Sequence, residues 1–98
     1  MMKLRWDPIA KENITNIYEI YKQHCGPKTA KKIINNIYLS TKMLKEQPYL
    51  GFLEPSLSDS PAGYRSLIEG HYKIVYCIEV DDYIRIVTIF DCRQTLKS

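Results

Sequence analysis

The chain is short of the residues from which metal and redox centres are made. Its only histidines, His24 and His71, lie 47 positions apart, and its three cysteines, Cys25, Cys77 and Cys92, form an odd set without metal-type spacing. That excludes a structural zinc site, predicts no cofactor, and suits a reducing compartment in which Cys77 and Cys92 serve as small apolar strand residues. With four glycines there is no Walker loop or GxGxxG run, and neither GxSxG nor HExxH occurs, so nucleotide-cofactor, serine-hydrolase and zinc-protease readings have no local support. No apolar run approaches the ~20 residues of a membrane span. The opening Met1-Met2-Lys3-Leu4-Arg5-Trp6-Asp7-Pro8 has no signal-type stretch before its first acid and proline. The expectation is a cytoplasmic protein without membrane contact.

What is present is the composition of one folded domain over residues 1–98, with 45% apolar and 26% charged residues and eight tyrosines. The net charge of +3 is unevenly divided. Residues 1–48 hold nine Lys/Arg against four Asp/Glu, and residues 49–98 hold five against seven. A basic first half suits an anionic partner, nucleic acid or an acidic protein, and equally a solvated helix face.

Met2, Leu4 and Trp6 alternate with Lys3 and Arg5, which predicts a short half-buried strand. Asp7-Pro8 then reads as a helix start, aspartate accepting the orphan amides and proline at the first helical position. Ala10, Ile14, Ile17, Tyr18 and Tyr21 follow at helical spacing, and Cys25-Gly26-Pro27 ends that helix and begins another. The second carries Ala30, Ile33, Ile34, Ile37, Tyr38, Thr41 and Leu44 on one stripe and Lys28, Lys31, Lys32, Lys42 and Lys45 mostly on the other. Between Pro48 and Gly63, two prolines, glycine, serines and an aspartate predict an irregular loop. Strands are then expected at 64–69, 72–80 and 83–93, joined by two-residue turns into an antiparallel meander. The fold class is α+β: strand, antiparallel helix pair, three-stranded meander, with the helices on one face of one small sheet. The turns set Glu69 opposite Tyr72, Arg65 opposite Tyr76, Tyr76 opposite Val87 and Tyr72 opposite Asp91. Arg65, Tyr72, Tyr76, Asp91 and Arg93 then share a face, and Lys73 lies on the other unless a bulge intervenes.

The chemistry available on those strands is cationic and phenolic: Arg65, His71, Tyr72, Lys73, Tyr76 and Arg93. Arginine and lysine hold phosphates and stabilise a phosphorane, and tyrosine or histidine stacks on bases or moves protons, so an RNA-cleaving site is one reading. The same tyrosines suit cross-strand packing, Arg65 and Arg93 suit pairing with Glu69 and Asp91, His71 suits a turn, and Glu46 suits an exposed helix end.

The order of Trp6-Asp7-Pro8, Pro48-Tyr49-Leu50-Gly51, Tyr64-Arg65-Ser66-Leu67, Tyr72-Lys73-Ile74-Val75-Tyr76 and Ile89-Phe90-Asp91-Cys92-Arg93-Gln94 resembles the RelE/ParE superfamily of type II toxin-antitoxin toxins. The resemblance implies a growth-inhibiting toxin of the kind that stabilises plasmids, neutralised by a cognate antitoxin in a heterodimer or heterotetramer. It implies one of two targets: DNA gyrase, or messenger RNA cut on the ribosome. For the RNA-cleaving branch, Lys73 stands where arginine is usual, Arg93 and Arg65 match further basic positions, and the C-terminal tyrosine of some members has no counterpart, so an enzymatic role rests on an incomplete set. For the gyrase branch, the Pro48–Gly51 turn, Arg65 with Leu67, and the ending Asp91-Cys92-Arg93 match, with Asp91 in place of histidine. The resemblance leans towards gyrase, with mRNA cleavage as the alternative and a non-toxic antitoxin-binding module as a third. Arg65, Lys73 and Arg93 are the candidate catalytic cations, and Tyr72, Tyr76, His71, Asp91 and Gln94 the candidate target- or antitoxin-binding residues.

Overall fold

A computed structural model describes residues 2–54 and 63–93, so Gln94 lies outside the described residues. The element order is β1 (Lys3–Trp6), α1 (Pro8–Cys25), α2 (Pro27–Met43), β2 (Phe52–Leu53), β3 (Arg65–Glu69), β4 (Tyr72–Ile78) and β5 (Tyr83–Asp91). The helices bury Ala10, Ile14 and Ile17 of α1 and Ile34 and Ile37 of α2 against Tyr72, Ile74, Tyr76, Ile84, Ile86 and Ile89 of the sheet, and Ala30 of α2 is buried as well. Each isoleucine so buried contributes about 1.5–3 kcal/mol. Tyr38 departs from its expected core stripe: it stays 44% exposed and packs its ring 5.4 Å from that of Trp6.

Gly26 makes the corner between the helices, with φ 91 and ψ 162, a conformation essentially reserved for glycine. Asp7 occupies the N-cap position of α1, but its side chain caps nothing. Its carboxylate instead accepts from Arg85 Nη1 at 2.6 Å, because the chain leaves β1 beside β5, where that guanidinium stands. Arg85 Nε also reaches Glu79 at 3.3 Å, so one arginine ties the start of α1 to the β4–β5 hairpin.

The sheet is wider than a meander plus one strand. Its order is β1-β5-β4-β3-β2, β1 running parallel to β5 and β2 antiparallel to β3. The expected loop thus contains a two-residue strand, too short for any periodicity to show, and β3 has a neighbour on each side. Glu69↔Tyr72, Leu67↔Ile74 and Arg65↔Tyr76 pair as the two-residue Gly70-His71 turn requires. The second turn is longer than expected: Glu79 N–H donates to Tyr83 O at 2.7 Å and Asp82 takes φ 62, which makes a three-residue turn closed by a left-handed residue. That shifts the pairing by one, so Tyr76 faces Ile86 and not Val87. A bulge beside Val75/Tyr76 restores the register, and Tyr72 pairs with Asp91.

The extra residue is on β5, so Lys73 is not moved across. The helices cover the face carrying Arg65, Leu67, Glu69, Tyr72, Ile74 and Tyr76, and Ser66, Ile68, Lys73, Val75 and Cys77 point away from them. Glu69 accepts from Ser40 of α2 at 2.7 Å, leaving Arg65 to find another partner.

Candidate functional site

The basic strand residues are distributed over three places. At the rim of the helix-covered face, Arg65 Nη1 donates to Gly51 O at 2.6 Å, and its guanidinium lies 4.8 Å from the centre of the Tyr49 ring. The Tyr76 hydroxyl donates to Pro48 O at 2.7 Å and accepts from Gly51 N–H at 2.9 Å. A Cβ on Gly51 would stand 2.5 Å from Ser66 O and 2.8 Å from the Tyr76 ring and hydroxyl. Glycine at 51 is therefore what lets the loop close onto the sheet. Burial raises the Tyr76 phenol above its ordinary value, opposed by the Gly51 amide and by Arg65. Tyr76 has no exposed surface. Its visible work is to fasten the 48–51 loop, on which Tyr49 stands 69% exposed.

On the opposite face, Lys73 Nζ is 3.0 Å from Glu54 Oε1. Glu54 is buried and also accepts from the Ser66 hydroxyl at 2.5 Å. The rings of Phe52 and Phe90 flank the ammonium at 5.8 and 5.7 Å. A shallow recess of about 320 Å³ opens here beside Val75 and Phe90.

The remaining candidates gather at the turn end of the hairpin. Tyr72 sits four residues along β4 from Tyr76, roughly 13 Å by strand geometry. Its ring meets Tyr21 of α1 edge-on at 6.5 Å. Burial, then a hydrogen bond and charge repulsion with Tyr21, hold the Tyr72 phenol protonated well above its ordinary range. Arg93 grips Asp91 with two bonds, Nε to Oδ1 at 3.0 Å and Nη2 to Oδ2 at 2.7 Å. Those bonds are the leading reason that the Asp91 carboxyl falls below its usual value. His71 is exposed in the turn, and its carbonyl accepts from Cys92 N–H at 2.7 Å. A recess of about 380 Å³ lies between this end and α1, bordered by Asn13, Ile20, Tyr21, Tyr72, Phe90 and Arg93.

Tyr72, Asp91 and Arg93 are thus brought together with His71 close by, Arg65 joins Tyr76 further along the same face, and Lys73 stands on the other face. Sequence reading missed two contributors. Tyr21 appeared only as a helix-core residue. Asn13, whose Oδ1 accepts from Ile89 N–H at 2.9 Å and from the Thr88 hydroxyl at 2.8 Å, lies on the shoulder of the Ala10–Ile14–Ile17 stripe, a polar residue at helical spacing that faces the sheet edge beyond β1. Among the described residues no group of His, Cys, Asp and Glu has the arrangement to hold a metal ion, and no helix is long and apolar enough to cross a membrane.

A helix hairpin on one face of a five-stranded mixed sheet, with cations on both faces and at the strand ends, makes a small α+β fold. The chain belongs to the ParE toxin family: residues 4–96 match the family model described as ParE toxin of type II toxin-antitoxin system, parDE. It is similar to a solved structure titled "Chromosomal ParDE TA system from P. aeruginosa", with 26% identity, a TM-score of 0.77, and coverage of 93% of this chain and 96% of that one. No curated protein sequence matches it closely enough to count as a relative. Membership of a type II module implies an antitoxin protein as partner.

Proposed function

We propose that this chain arrests bacterial growth by binding DNA gyrase in the cytoplasm, and that its antitoxin silences it in a heterodimer or heterotetramer. The observation that carries this reading over RNA cleavage is the separation of the cations. Cleavage by a 2′-hydroxyl needs charges converging on one phosphate and a group poised to take a proton. Lys73 is instead bound to Glu54 on the open face, Arg65 holds a loop carbonyl on the helix-covered face, and Tyr72, at the Arg93 end of the sheet, is kept protonated by burial. These residues hold the protein together in a shape; a binding toxin needs only the shape. The family match and the ParDE neighbour support the same choice. In this reading Tyr72, His71, Asp91 and Arg93 form the contact end of the molecule.

Inducible expression in a bacterial host, alone and with the neighbour-encoded antitoxin, tests the toxin reading. Growth should stop without the antitoxin and continue with it. Supercoiling by purified gyrase should fall on addition of the chain, and toeprints on translating ribosomes should be unchanged. Ribosomal A-site cuts without gyrase inhibition would replace this reading with the RNA-cleaving one, and antitoxin binding without any growth defect would leave a non-toxic binding module.

A further inference from the structure

The cations of this molecule divide into those that are held and those that are not. Among the described residues, Lys73, Arg85 and Arg93 are each bound to a carboxylate, and Arg65 to a carbonyl. All four are on the β3–β5 strands or immediately after them. On α2, Lys28, Lys31, Lys32 and Lys42 are exposed, and no described carboxylate lies within ion-pair distance of any of them. The helix has no acidic residue at all in its sequence PKTAKKIINNIYLSTKM.

Helical geometry puts these four on one stripe. At about 100° per residue, Lys28, Lys31, Lys32, Asn35, Leu39 and Lys42 fall within about 50° of a common line, which lies about 145° round the helix from the mean direction of Ala30, Ile34 and Ile37, which are buried. Helix stability does not account for the placement: Lys28 stands in the first turn, where the helix dipole favours acids and disfavours cations. One cluster, Lys28/Lys31/Lys32, and the single Lys42 result, separated by about 15–20 Å along the axis at 1.5 Å per residue, with Asn35 and Leu39 between them.

We infer that the outer face of α2 is a sequence-independent docking surface for duplex DNA, its lysine cluster and Lys42 resting on the phosphate backbones either side of a groove. The spacing suits the purpose, since a major groove about 12 Å wide separates two lines of phosphates, and ammonium groups on flexible stems reach phosphates as point charges without a fixed geometry. Lysine is depleted from the cores of protein–protein interfaces, where aromatic and arginine anchors carry the energy, and the aromatic that borders this stripe, Tyr38, is already packed on Trp6. Leu39, 58% exposed, and Met43, 51% exposed, lie towards its far end and form the rim. A gyrase-directed toxin meets its target on DNA, but the inference rests on the stripe and not on the target.

Fluorescence anisotropy of a labelled mixed-sequence duplex, titrated with the purified full chain between 50 and 200 mM salt, reads this out without gyrase. Each phosphate neutralised contributes about 0.9 to the salt slope, so the stripe should give a log–log slope of about −2 to −4. The triple variant Lys31→Gln/Lys32→Gln/Lys42→Gln should weaken binding at least about 10-fold at low salt and flatten the slope by about 2 to 3, with an unchanged helical circular dichroism signal. The single variants Lys31→Gln and Lys42→Gln should each take about one unit of slope, which keeps the test open should the triple variant fold poorly. Lys22→Gln, an exposed cation on α1, should leave binding as it was. Absence of binding at 50 mM salt, or an equal loss in Lys22→Gln, would overturn the inference. Displacement of the duplex by polyglutamate at matched charge would overturn it in favour of an acidic protein segment. Duplex binding by a chain that leaves gyrase untouched would uphold it while removing the gyrase reading.

Discussion

At the scale of single residues, the loop clasp carries the sharpest consequences. Tyr76→Phe removes the hydroxyl that accepts from Gly51 N–H and donates to Pro48 O, leaving a buried amide without its partner, and should cost about 1–3 kcal/mol in urea unfolding. Because burial raises the Tyr76 phenol, its folded form binds the proton more tightly than its unfolded form. The stability it contributes is therefore complete below the ordinary tyrosine value near 10 and is lost as pH rises beyond it. Wild-type unfolding free energy should fall on the alkaline side, and part of that fall should be missing in Tyr76→Phe. The thiols give a second test. Cys25 is exposed and Cys77 buried, with burial pushing the Cys77 thiol up to about 11. Iodoacetamide near pH 8 should therefore modify Cys25 long before Cys77 in native protein, and all three cysteines at similar rates in denaturant.

At the scale of elements, two glycines fail for different reasons. Gly26→Ala meets no neighbour within 4 Å, but the φ of 91 and ψ of 162 at the helix corner strain any residue with a side chain, at about 1–3 kcal/mol. Gly51→Ala fails by collision with Ser66 O and the Tyr76 ring, at about 1–3 kcal/mol or more. Denaturant midpoints should fall for both, and the Gly51 loss should shrink in a Tyr76→Phe background, where the hydroxyl that crowds it is gone. The helix corner was legible in Cys25-Gly26-Pro27, and so was the β3–β4 register, because a two-residue turn fixes every pairing after it. The Asp82 turn and the β5 bulge were not, since two shifts of opposite sense cancel and leave Tyr72 opposite Asp91 either way. The site was legible in its residue types and less so in its grouping. Strand alternation placed Lys73 apart from Arg65, but nothing in the order of residues showed that Arg65 would reach back to Gly51, that Glu54 would meet Lys73, or that Tyr21 would close over Tyr72, all contacts made across the fold.

At the scale of the whole molecule, a partner that binds only the folded toxin must stabilise it. Antitoxin at about 100 times its dissociation constant should add about 2.7 kcal/mol, seen as a melting temperature that climbs with antitoxin concentration. The same scale exposes the cost of joining the ends of the chain in one sheet. Lys3–Trp6 pair with Tyr83–Ile86, and 76 residues separate Trp6 from Tyr83. At bacterial synthesis rates of roughly 5–20 residues per second, the first strand waits about 4 to 15 s for its neighbour to be made. Until then the nascent polypeptide has no completed sheet and therefore no finished poison, so translation itself supplies an interval in which a ready-made antidote can take hold before harm begins.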